Sequence, residues 1–255
     1  MGSREEARAA IAAGLVTVAG APALKPASQV APDEPLVVLA PPRRYVSRGG
    51  DKLEDALTRF DLSVTGRRCL DAGASTGGFT DCLLQHGAAS VVAVDVGYGQ
   101  LHERIRTDER VTVLERTNVR TLRPEQVAPP PPDLLVADVS FISLRLVLPA
   151  LVTVLASPAE AVVLVKPQFE AERGDVGRGG VVRDPGVWRR SILAVADAFR
   201  ELGWRTIDVV ASSHPGPAGN FEYLLHASSH GPGTWTPERI DTAIDEAEQL
   251  RGGSA

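Results

Sequence analysis

The chain has 255 residues, 44% of them hydrophobic, and a formal net charge of -5. This length suits one α/β domain with a small appendage, and the apolar content is sufficient to bury a core. The apolar runs are much shorter than the roughly 20 residues that a membrane span requires, and no secretory signal pattern opens the chain, so a cytoplasmic protein that does not contact a membrane is predicted.

The first predicted element is a helix in the segment SREEARAAIAAG. Ser3 and Glu6 form a capping-box pattern at its start, and Gly14 is placed to end it. LVTVAG then predicts a strand and a turn, whereas the stretch up to Pro42 is interrupted by prolines and has no helical period. Residues 1–42 are therefore predicted to form a small module and a linker, and residues 43–255 the main domain.

Strand-like and helix-like runs alternate along most of the main domain. The strand-like runs are RRCLDAG, SVVAVDVG, VTVLE, DLLVADV, AVVLVKP, TIDVVAS and EYLLHAS. Such alternation predicts an α/β fold with a mostly parallel seven-stranded sheet and helices on both faces. A loop rich in glycine and arginine, residues 172–183, interrupts the pattern and is long enough to suggest a mobile loop at the active site.

The turn after the first of these strands predicts a nucleotide-like cofactor. In CLDAGASTGGFTDCLL, Asp71 and Gly73 end the strand and a helix begins near Gly77. Glycines at such a turn let the backbone approach a ligand closely, but Ser75 stands where a dinucleotide fingerprint requires glycine, which disfavours NAD. Asp95 ends the next strand and could accept hydrogen bonds from the ribose hydroxyls of S-adenosylmethionine. The alternative, that Asp71 and Asp95 only cap the helices that follow, stays open.

Four charged residues lie where stability alone does not require them. Lys52 follows SRGGD, before a predicted helix; Asp138 and Lys166 end apolar strands; and Glu222 begins one. Strand ends of a doubly wound sheet meet at one rim, so these side chains could surround one substrate.

Methyl transfer from the sulfonium of S-adenosylmethionine needs a nucleophile in line with the methyl group. A ribose 2'-hydroxyl is a poor nucleophile until a base removes its proton. A lysine with the ordinary pKa of about 10.4 is protonated at neutral pH, but burial and a second ammonium lower that pKa. Lys166 is therefore the predicted base, Lys52 the neighbour that tunes it, and Asp138 and Glu222 the acids that orient the two amines.

Composition gives little support for metal or disulfide chemistry. Cys69 and Cys82 are the only cysteines, and the five histidines are scattered without ligand spacing, so no metal site is predicted. The acidic net charge argues mildly against a nucleic-acid partner, which must then be contacted by local basic clusters.

The motifs SRGGDKL, LDAGASTGGFTDCLL, VADVSFISL, LVKPQFE and PGPAGNFEYLL resemble, in this order, those of the TlyA-type family, historically called hemolysins. These proteins carry an FtsJ-like RNA ribose methyltransferase domain with a Rossmann-like class I fold. The resemblance implies that the four charged residues are a Lys-Asp-Lys-Glu tetrad. It also implies 2'-O-methylation of cytidines in ribosomal RNA, with ribosomal RNA or ribosomal subunits as partners and S-adenosylmethionine as methyl donor.

The resemblance also assigns binding residues. The expected cofactor-binding residues are Asp71, Gly73, Ala74, Ser75, Gly77, Gly78, Phe79, Asp95, Val96, Asn118 and Asp138. The expected RNA-binding residues are Arg4, Arg8, Arg43, Arg44, Arg48, Ser140 and Phe141, with Lys25 as a further candidate for a phosphate contact. The basic residues are selected by their charge, and for Arg4 and Arg8 a solvated helix face is the stronger alternative. Phe141 would stack on a flipped base or, equally, have a structural role.

The segment SREEARAAIAAGLVTVAG resembles the second half of the S4-type RNA-binding domain that usually begins these proteins. The opening helix that should precede this segment is absent, so either the start codon lies upstream or the module is degraded. A truncated S4-like module is expected for the sequence as given, which puts RNA docking in doubt. Three other functions remain open: methylation of a small nucleoside or alcohol, membrane lysis, and an inactive RNA-binding subunit. Membrane lysis has no support, because neither a span nor a long basic amphipathic helix is predicted.

Overall fold

The computed structural model describes residues 4–39, 43–216, 218–232 and 235–252. A first helix and a small antiparallel sheet in the order β2-β1-β3 open the chain. They comprise α1 (Arg4–Ala12), β1 (Val16–Val18), β2 (Ala21–Pro22) and β3 (Leu36–Val38). The helix and β1 confirm the sequence prediction, and Gly14 follows the helix with a φ of 68°. Strands β2 and β3 were not predicted because they are short, exposed and set in a proline-rich stretch.

The main sheet has seven strands in the order β6-β5-β4-β7-β8-β10-β9. They are β4 (Arg68–Ala72), β5 (Ser90–Val94), β6 (Val111–Leu114), β7 (Leu134–Ala137), β8 (Glu160–Val165), β9 (Arg205–Ala211) and β10 (Tyr223–Ser228). Each overlaps one of the strand-like runs of the sequence, which confirms the predicted mostly parallel sheet. Strand β10 pairs antiparallel with both of its neighbours, β8 and β9.

Helices cover both faces of this sheet. They are α2 (Arg48–Arg59), α3 (Gly78–Gln85), α4 (Glu103–Arg106), α5 (Leu144–Thr153), α6 (Pro167–Glu170), α7 (Pro185–Glu201) and α8 (Pro237–Gly252). Leu70 packs in one core with residues of α5, α7 and α8, while its neighbour Cys69 packs in a second core with residues of α2 and α3. Successive strand residues point to opposite faces, so a sheet covered on both sides needs nearly continuous apolar strands.

The connections from β4 create a crevice at the carboxyl ends of the strands. The chain passes from β4 to β5 on one side and returns to β7 on the other, so β4 lies between them. Loops after neighbouring strands diverge at this switch point, where open α/β sheets bind ligands. The functional residues predicted at the strand ends all lie at this rim.

The start of α2 corrects one sequence prediction. Lys52 was expected before a helix, but the helix begins at Arg48 and Lys52 lies in its second turn. A Cβ atom on Gly50 would lie 2.2 Å from the Cγ of Tyr45, and one on Gly78 would lie 2.9 Å from the backbone nitrogen of Gly50. The glycines at these two positions thus allow α2 and α3 to pack closely.

Candidate active site

The four tetrad residues come from elements that end at the same rim. Asp138 follows β7 and Lys166 follows β8. Glu222 precedes β10, whose antiparallel direction brings its first residues to the carboxyl ends of the parallel strands. Lys52 reaches the rim from α2 on the covering layer.

The structure joins the tetrad into two ion pairs. The Nζ atom of Lys52 lies 2.5 Å from Oε2 of Glu222, and the Nζ atom of Lys166 lies 2.5 Å from Oδ1 of Asp138. Tyr223 is paired with Val165, so continuing this register by one residue sets Glu222 opposite Lys166. The two pairs are therefore neighbours on the same face of the sheet.

Burial of these charged side chains lowers the stability of the folded protein. Both lysine side chains are 10% exposed, the Glu222 side chain is 2% exposed and that of Asp138 is 25% exposed. Removing such charges from water costs several kcal/mol per ion, and pairing repays this cost only in part. An arrangement of this kind contributes little to stability and is typical of a functional site.

The loop before Glu222 is shaped to hold that carboxylate. A Cβ atom on Gly216 would lie 2.6 Å from Oε1 of Glu222, so only glycine leaves room. Asn220 is buried; its Oδ1 accepts a hydrogen bond from the Val182 backbone N–H at 2.9 Å, and its Nδ2 donates to the Gly180 carbonyl at 2.9 Å. The glycine- and arginine-rich loop is thereby tied to the segment that carries Glu222.

Asp71 and Gly73 lie at the start of the crevice. Gly73 has a φ of 88°, and a Cβ atom there would lie 2.6 Å from the Asp138 carbonyl oxygen. Thr80 donates a 2.6 Å hydrogen bond to Oδ2 of Asp71, while Oδ1 is buried without a partner. Burial raises the pKa of Asp71 to about 7, against the effect of the Thr80 hydroxyl.

Asp95 lies at the entrance of a cleft beside this turn. Its Oδ2 accepts a hydrogen bond from the Ser75 backbone N–H at 2.8 Å, and its Oδ1 accepts one from Gly97 at 2.7 Å. The cleft has about 220 Å³ of empty space, part of it open to solvent. Its lining residues are Ala74, Ser75, Ala93, Asp95, Gly97, Gln100, Leu101, Val113 and Glu115.

Three of the expected cofactor-binding residues, Ala74, Ser75 and Asp95, line this cleft. Others do not: Phe79 is buried in the core, Gly78 packs against α2, and Gly77 caps α3 with a φ of 95°. Val96 is 73% exposed beside the cleft, and Asn118 caps a short 3-10 helix. Those assignments remain predictions that depend on the family resemblance alone.

Sequence reasoning missed most of the cleft wall. Leu101 and Val113 supply apolar surface, while Gln100 and Glu115 supply polar groups. Glu115 ends the VTVLE run and could have been found by the same rule that selected Asp95, a carboxylate directly after a strand. Gln100 and Leu101 lie in a loop whose course has no sequence signal.

These residues fit an adenosine-type cofactor. Asp95 keeps lone pairs for ribose hydroxyls, Leu101 and Val113 offer apolar surface to a ring, and the unpartnered Oδ1 of Asp71 can accept a further hydrogen bond. Among the residues that the structure describes, no group of three or more His, Cys, Asp or Glu side chains is placed to hold a metal ion.

Two residues expected to contact RNA lie just past Asp138. Phe141 is 92% exposed and has a φ of 65°, a region that bulky side chains rarely adopt. Its ring centroid lies 5.3 Å from that of Phe169. The hydroxyl of Ser140 accepts a 2.9 Å hydrogen bond from Lys166, so Ser140 belongs to the tetrad's surroundings.

The expected basic contacts lie on the surface. Arg8, Lys25, Arg43, Arg44 and Arg48 are exposed. Arg44 forms an ion pair with Glu54, and its guanidinium lies 5.2 Å from the Tyr45 ring centroid. The side chain of Arg4 lies outside the described part of the chain. In the described ranges, no helix is long and apolar enough to cross a membrane.

Comparison with known proteins identifies the family. The FtsJ-like methyltransferase family model matches residues 45–229, which is more than half of the chain. The 16S/23S rRNA (cytidine-2'-O)-methyltransferase TlyA of Mycobacterium tuberculosis is 52% identical over 246 residues, which cover 96% of this chain and 91% of the relative. Hemolysin A of Brachyspira hyodysenteriae is 42% identical over 225 residues, which cover 88% and 93% of the two chains.

A solved structure from Streptococcus thermophilus, assigned by its name to the hemolysins, is 38% identical and superposes with a TM-score of 0.85, covering 100% of this chain and 93% of that one. The sheet topology, the cleft at the switch point and these similarities all indicate the same family. The chain belongs to the FtsJ-like methyltransferase family, in its TlyA-type branch, and is an S-adenosylmethionine-dependent methyltransferase.

Proposed function

We propose that this enzyme methylates the 2'-hydroxyl of cytidine in ribosomal RNA, with Lys166 as the general base. The substrate is inferred from the relative in Mycobacterium tuberculosis, whose name specifies that reaction. The chemistry is inferred from the two neighbouring ion pairs at the rim, in which only Asp138 is not buried, and this is the observation that carries the proposal. Residues 43–255 would form the catalytic domain, and residues 1–42 a partial S4-like module and linker.

Bound S-adenosylmethionine supplies an electrophilic methyl group on a sulfonium. Asp95 and the other residues of the cleft would hold this cofactor, so that the ribose oxygen would bond to that methyl carbon as the carbon–sulfur bond breaks and the sulfur keeps the electron pair. The proposed step requires that Lys166 first give up its own proton, so that its Nζ can take the proton of the hydroxyl. Asp138, 2.5 Å from that nitrogen, and the Ser140 hydroxyl at 2.9 Å fix where the base lies.

The second pair has a supporting role in this proposal. Glu222 neutralises Lys52 at 2.5 Å, so the site holds two lysines without a large excess of positive charge. In this proposal Lys52 donates a hydrogen bond to the ribose or to the neighbouring phosphate, because an ammonium can only donate and the oxygen atoms of both groups can accept. The two lysines therefore have different roles although both are equally buried.

Phe141 is proposed to stack on the target base. An exposed aromatic ring is costly in water, and its positive φ adds strain that the surrounding structure must offset. Sequence-specific RNA recognition uses unstacked bases against aromatic side chains, and base–aromatic stacking is worth about 1–3 kcal/mol. The exposed arginines 43, 44 and 48 would contact phosphates on the path toward Lys52.

Substitution of Lys166 tests the chemistry. We expect Lys166→Arg to lower methyl transfer by about 100-fold or more, because a guanidinium keeps the positive charge beside Asp138 but cannot accept a proton. Tritiated methyl transfer to isolated ribosomal subunits measures the rate, and calorimetry measures the affinity for S-adenosylmethionine. Arg200→Ala, at an exposed pair with Asp197, is the control and should keep wild-type activity.

Near wild-type transfer by Lys166→Arg would exclude this lysine as the base. The same assay with free nucleosides tests the alternative substrate class, which the net charge of -5 favours. Transfer to free cytidine at the rate seen with ribosomal subunits would refute the RNA substrate. Mapping of 2'-O-methyl groups in ribosomal RNA then identifies the modified nucleotide.

A further inference from the structure

A buried glutamate without a part in the proposed chemistry connects the ends of two catalytic strands. Glu170 ends α6, four residues after Lys166, and is 6% exposed. Its Oε1 accepts a 2.6 Å hydrogen bond from the Leu144 backbone N–H, and its Oε2 accepts a 2.5 Å hydrogen bond from the Ser143 hydroxyl. Both partners lie in the segment that follows Asp138.

Arg145 completes the connection. Its Nε lies 3.4 Å from Oε2 of Glu170, and its Nη2 donates a 3.1 Å hydrogen bond to the Glu170 carbonyl. The Arg145 side chain is 48% exposed, while that of Glu170 is 2% exposed. A buried carboxylate with both oxygens hydrogen-bonded and an arginine beside it has a single favourable placement, so it holds its partners in fixed positions.

The segment held in this way is the one that carries Phe141. Phe141 has a φ of 65° and lies two residues before Ser143, and its ring packs against Phe169, the residue next to Glu170. A bulky residue in this conformation persists only where neighbouring contacts determine the backbone. Helix α6 therefore contacts this segment at two places. Its Phe169 ring packs against Phe141, and its Glu170 carboxylate accepts hydrogen bonds from Ser143 and Leu144.

We propose that Glu170 is a positioning residue that holds the Phe141 ring in the orientation that receives the target base. This inference rests on the proposed function, because it assumes that Phe141 contacts RNA. The single turn of α6 begins after Lys166 and ends at Glu170, so one short helix sets the place of the base and of the aromatic ring together. Misplacement by about 1 Å can cost two orders of magnitude in rate.

A double-mutant cycle between Glu170 and Phe141 tests the proposal. Glu170→Ala and Phe141→Ala should each raise the KM for the RNA substrate by about tenfold, and the double variant should be no worse than Phe141→Ala alone. The affinity for S-adenosylmethionine should stay within about twofold of wild type, since Glu170 does not line the cofactor cleft. Glu170→Gln keeps an acceptor for the Leu144 N–H and should restore much of the loss.

Glu160→Gln is the matched control. Glu160 begins β8, at the opposite end of the strand from Lys166, and also pairs with an arginine, Arg67. The Glu160→Gln variant should have the same KM for RNA as wild type. Additive effects of the two alanine substitutions, an unchanged KM in Glu170→Ala, or an equal loss of cofactor affinity would each overturn the proposal.

Hydrogen exchange gives a readout that is independent of activity. Amides of residues 140–144 should exchange faster in Glu170→Ala than in wild type, and at the wild-type rate in Glu160→Gln. Unchanged exchange in Glu170→Ala would also overturn the positioning role. If wild-type protein did not methylate RNA, the proposed function would fail, while the exchange measurement would still decide whether Glu170 holds this segment.

Discussion

The carboxyl group of Asp71, in β4, is buried at a cost to stability. It is fully buried, and one of its oxygens has no partner. Burial raises its pKa to about 7, so between about pH 4 and pH 7 the folded protein binds a proton that the unfolded chain does not. Protonation of Asp71 therefore stabilises the folded protein; this stabilisation is complete at low pH and is lost as the pH rises through 7.

Replacement of Asp71 by asparagine should remove that dependence. We expect Asp71→Asn to be more stable than wild type at pH 8, by up to a few kcal/mol, and about equally stable at pH 4.5. Urea unfolding at several pH values gives the comparison. The variant should bind S-adenosylmethionine more weakly, because an amide is a poorer acceptor than a carboxylate; lower stability than wild type at pH 8 would contradict the assignment.

At the scale of elements, helix α2 and the turn into α3 pack closely because of their glycines. Gly50 lies in α2 against the ring of Tyr45, which is 1% exposed, and Gly78 begins α3 beside the same helix. Lys52 follows Gly50 by two residues. The approach of these two helices therefore determines how far Lys52 reaches toward Glu222.

Gly50→Ala should destabilise the protein although alanine favours helices. A Cβ atom there would lie 2.2 Å from the Cγ of a buried ring, and overpacking of this kind costs about 1–3 kcal/mol, more than the roughly 0.5–1 kcal/mol gained in helix propensity. Thermal unfolding measures the change. Gly174→Ala, where no atom lies within 4 Å of the added carbon, is the control and should not destabilise the protein.

At the scale of the whole molecule, the sheet has charged clusters at both ends of its strands. The carboxyl ends carry the tetrad. At the amino ends, Arg67 contacts Asp133 at 3.1 Å and Glu160 at 2.6 Å, and Glu160 also lies 3.1 Å from His226. This second cluster joins residues at the starts of β4, β7 and β8 with one on β10, so it stabilises the sheet without contributing to the proposed chemistry.

Acid should weaken this cluster. The hydrogen bond with His226, and then that with Arg67, lowers the pKa of Glu160 to about 2, so its stabilising effect is complete above about pH 4.5 and is lost as the pH falls toward 2. Because Glu160 is partly exposed, we expect the contribution to be about 1–2 kcal/mol. Glu160→Gln should flatten the acid limb of the stability curve; an acid limb as steep as that of wild type would contradict this role.

Much of the fold and part of the site could be predicted from the sequence alone. The strands of a sheet covered on both faces must be apolar throughout, so all seven were visible as short apolar runs between polar turns. Polar residues at the ends of such runs stand out, which identified Asp71, Asp95, Asp138, Lys166 and Glu222. Their meeting at one rim followed from the topology expected for alternating strands and helices.

The tertiary structure decided which of these residues contact one another. Lys52 and Glu222 are 170 positions apart. No local sequence pattern predicts this ion pair or the one between Lys166 and Asp138. The start of α2, the burial of Phe79, the cleft wall at Gln100 and the hydrogen bonds of Glu170 also depend on packing between distant segments. Sequence periodicity reports which face of an element is buried, whereas pairing across the fold depends on distances that exist only once the elements are packed.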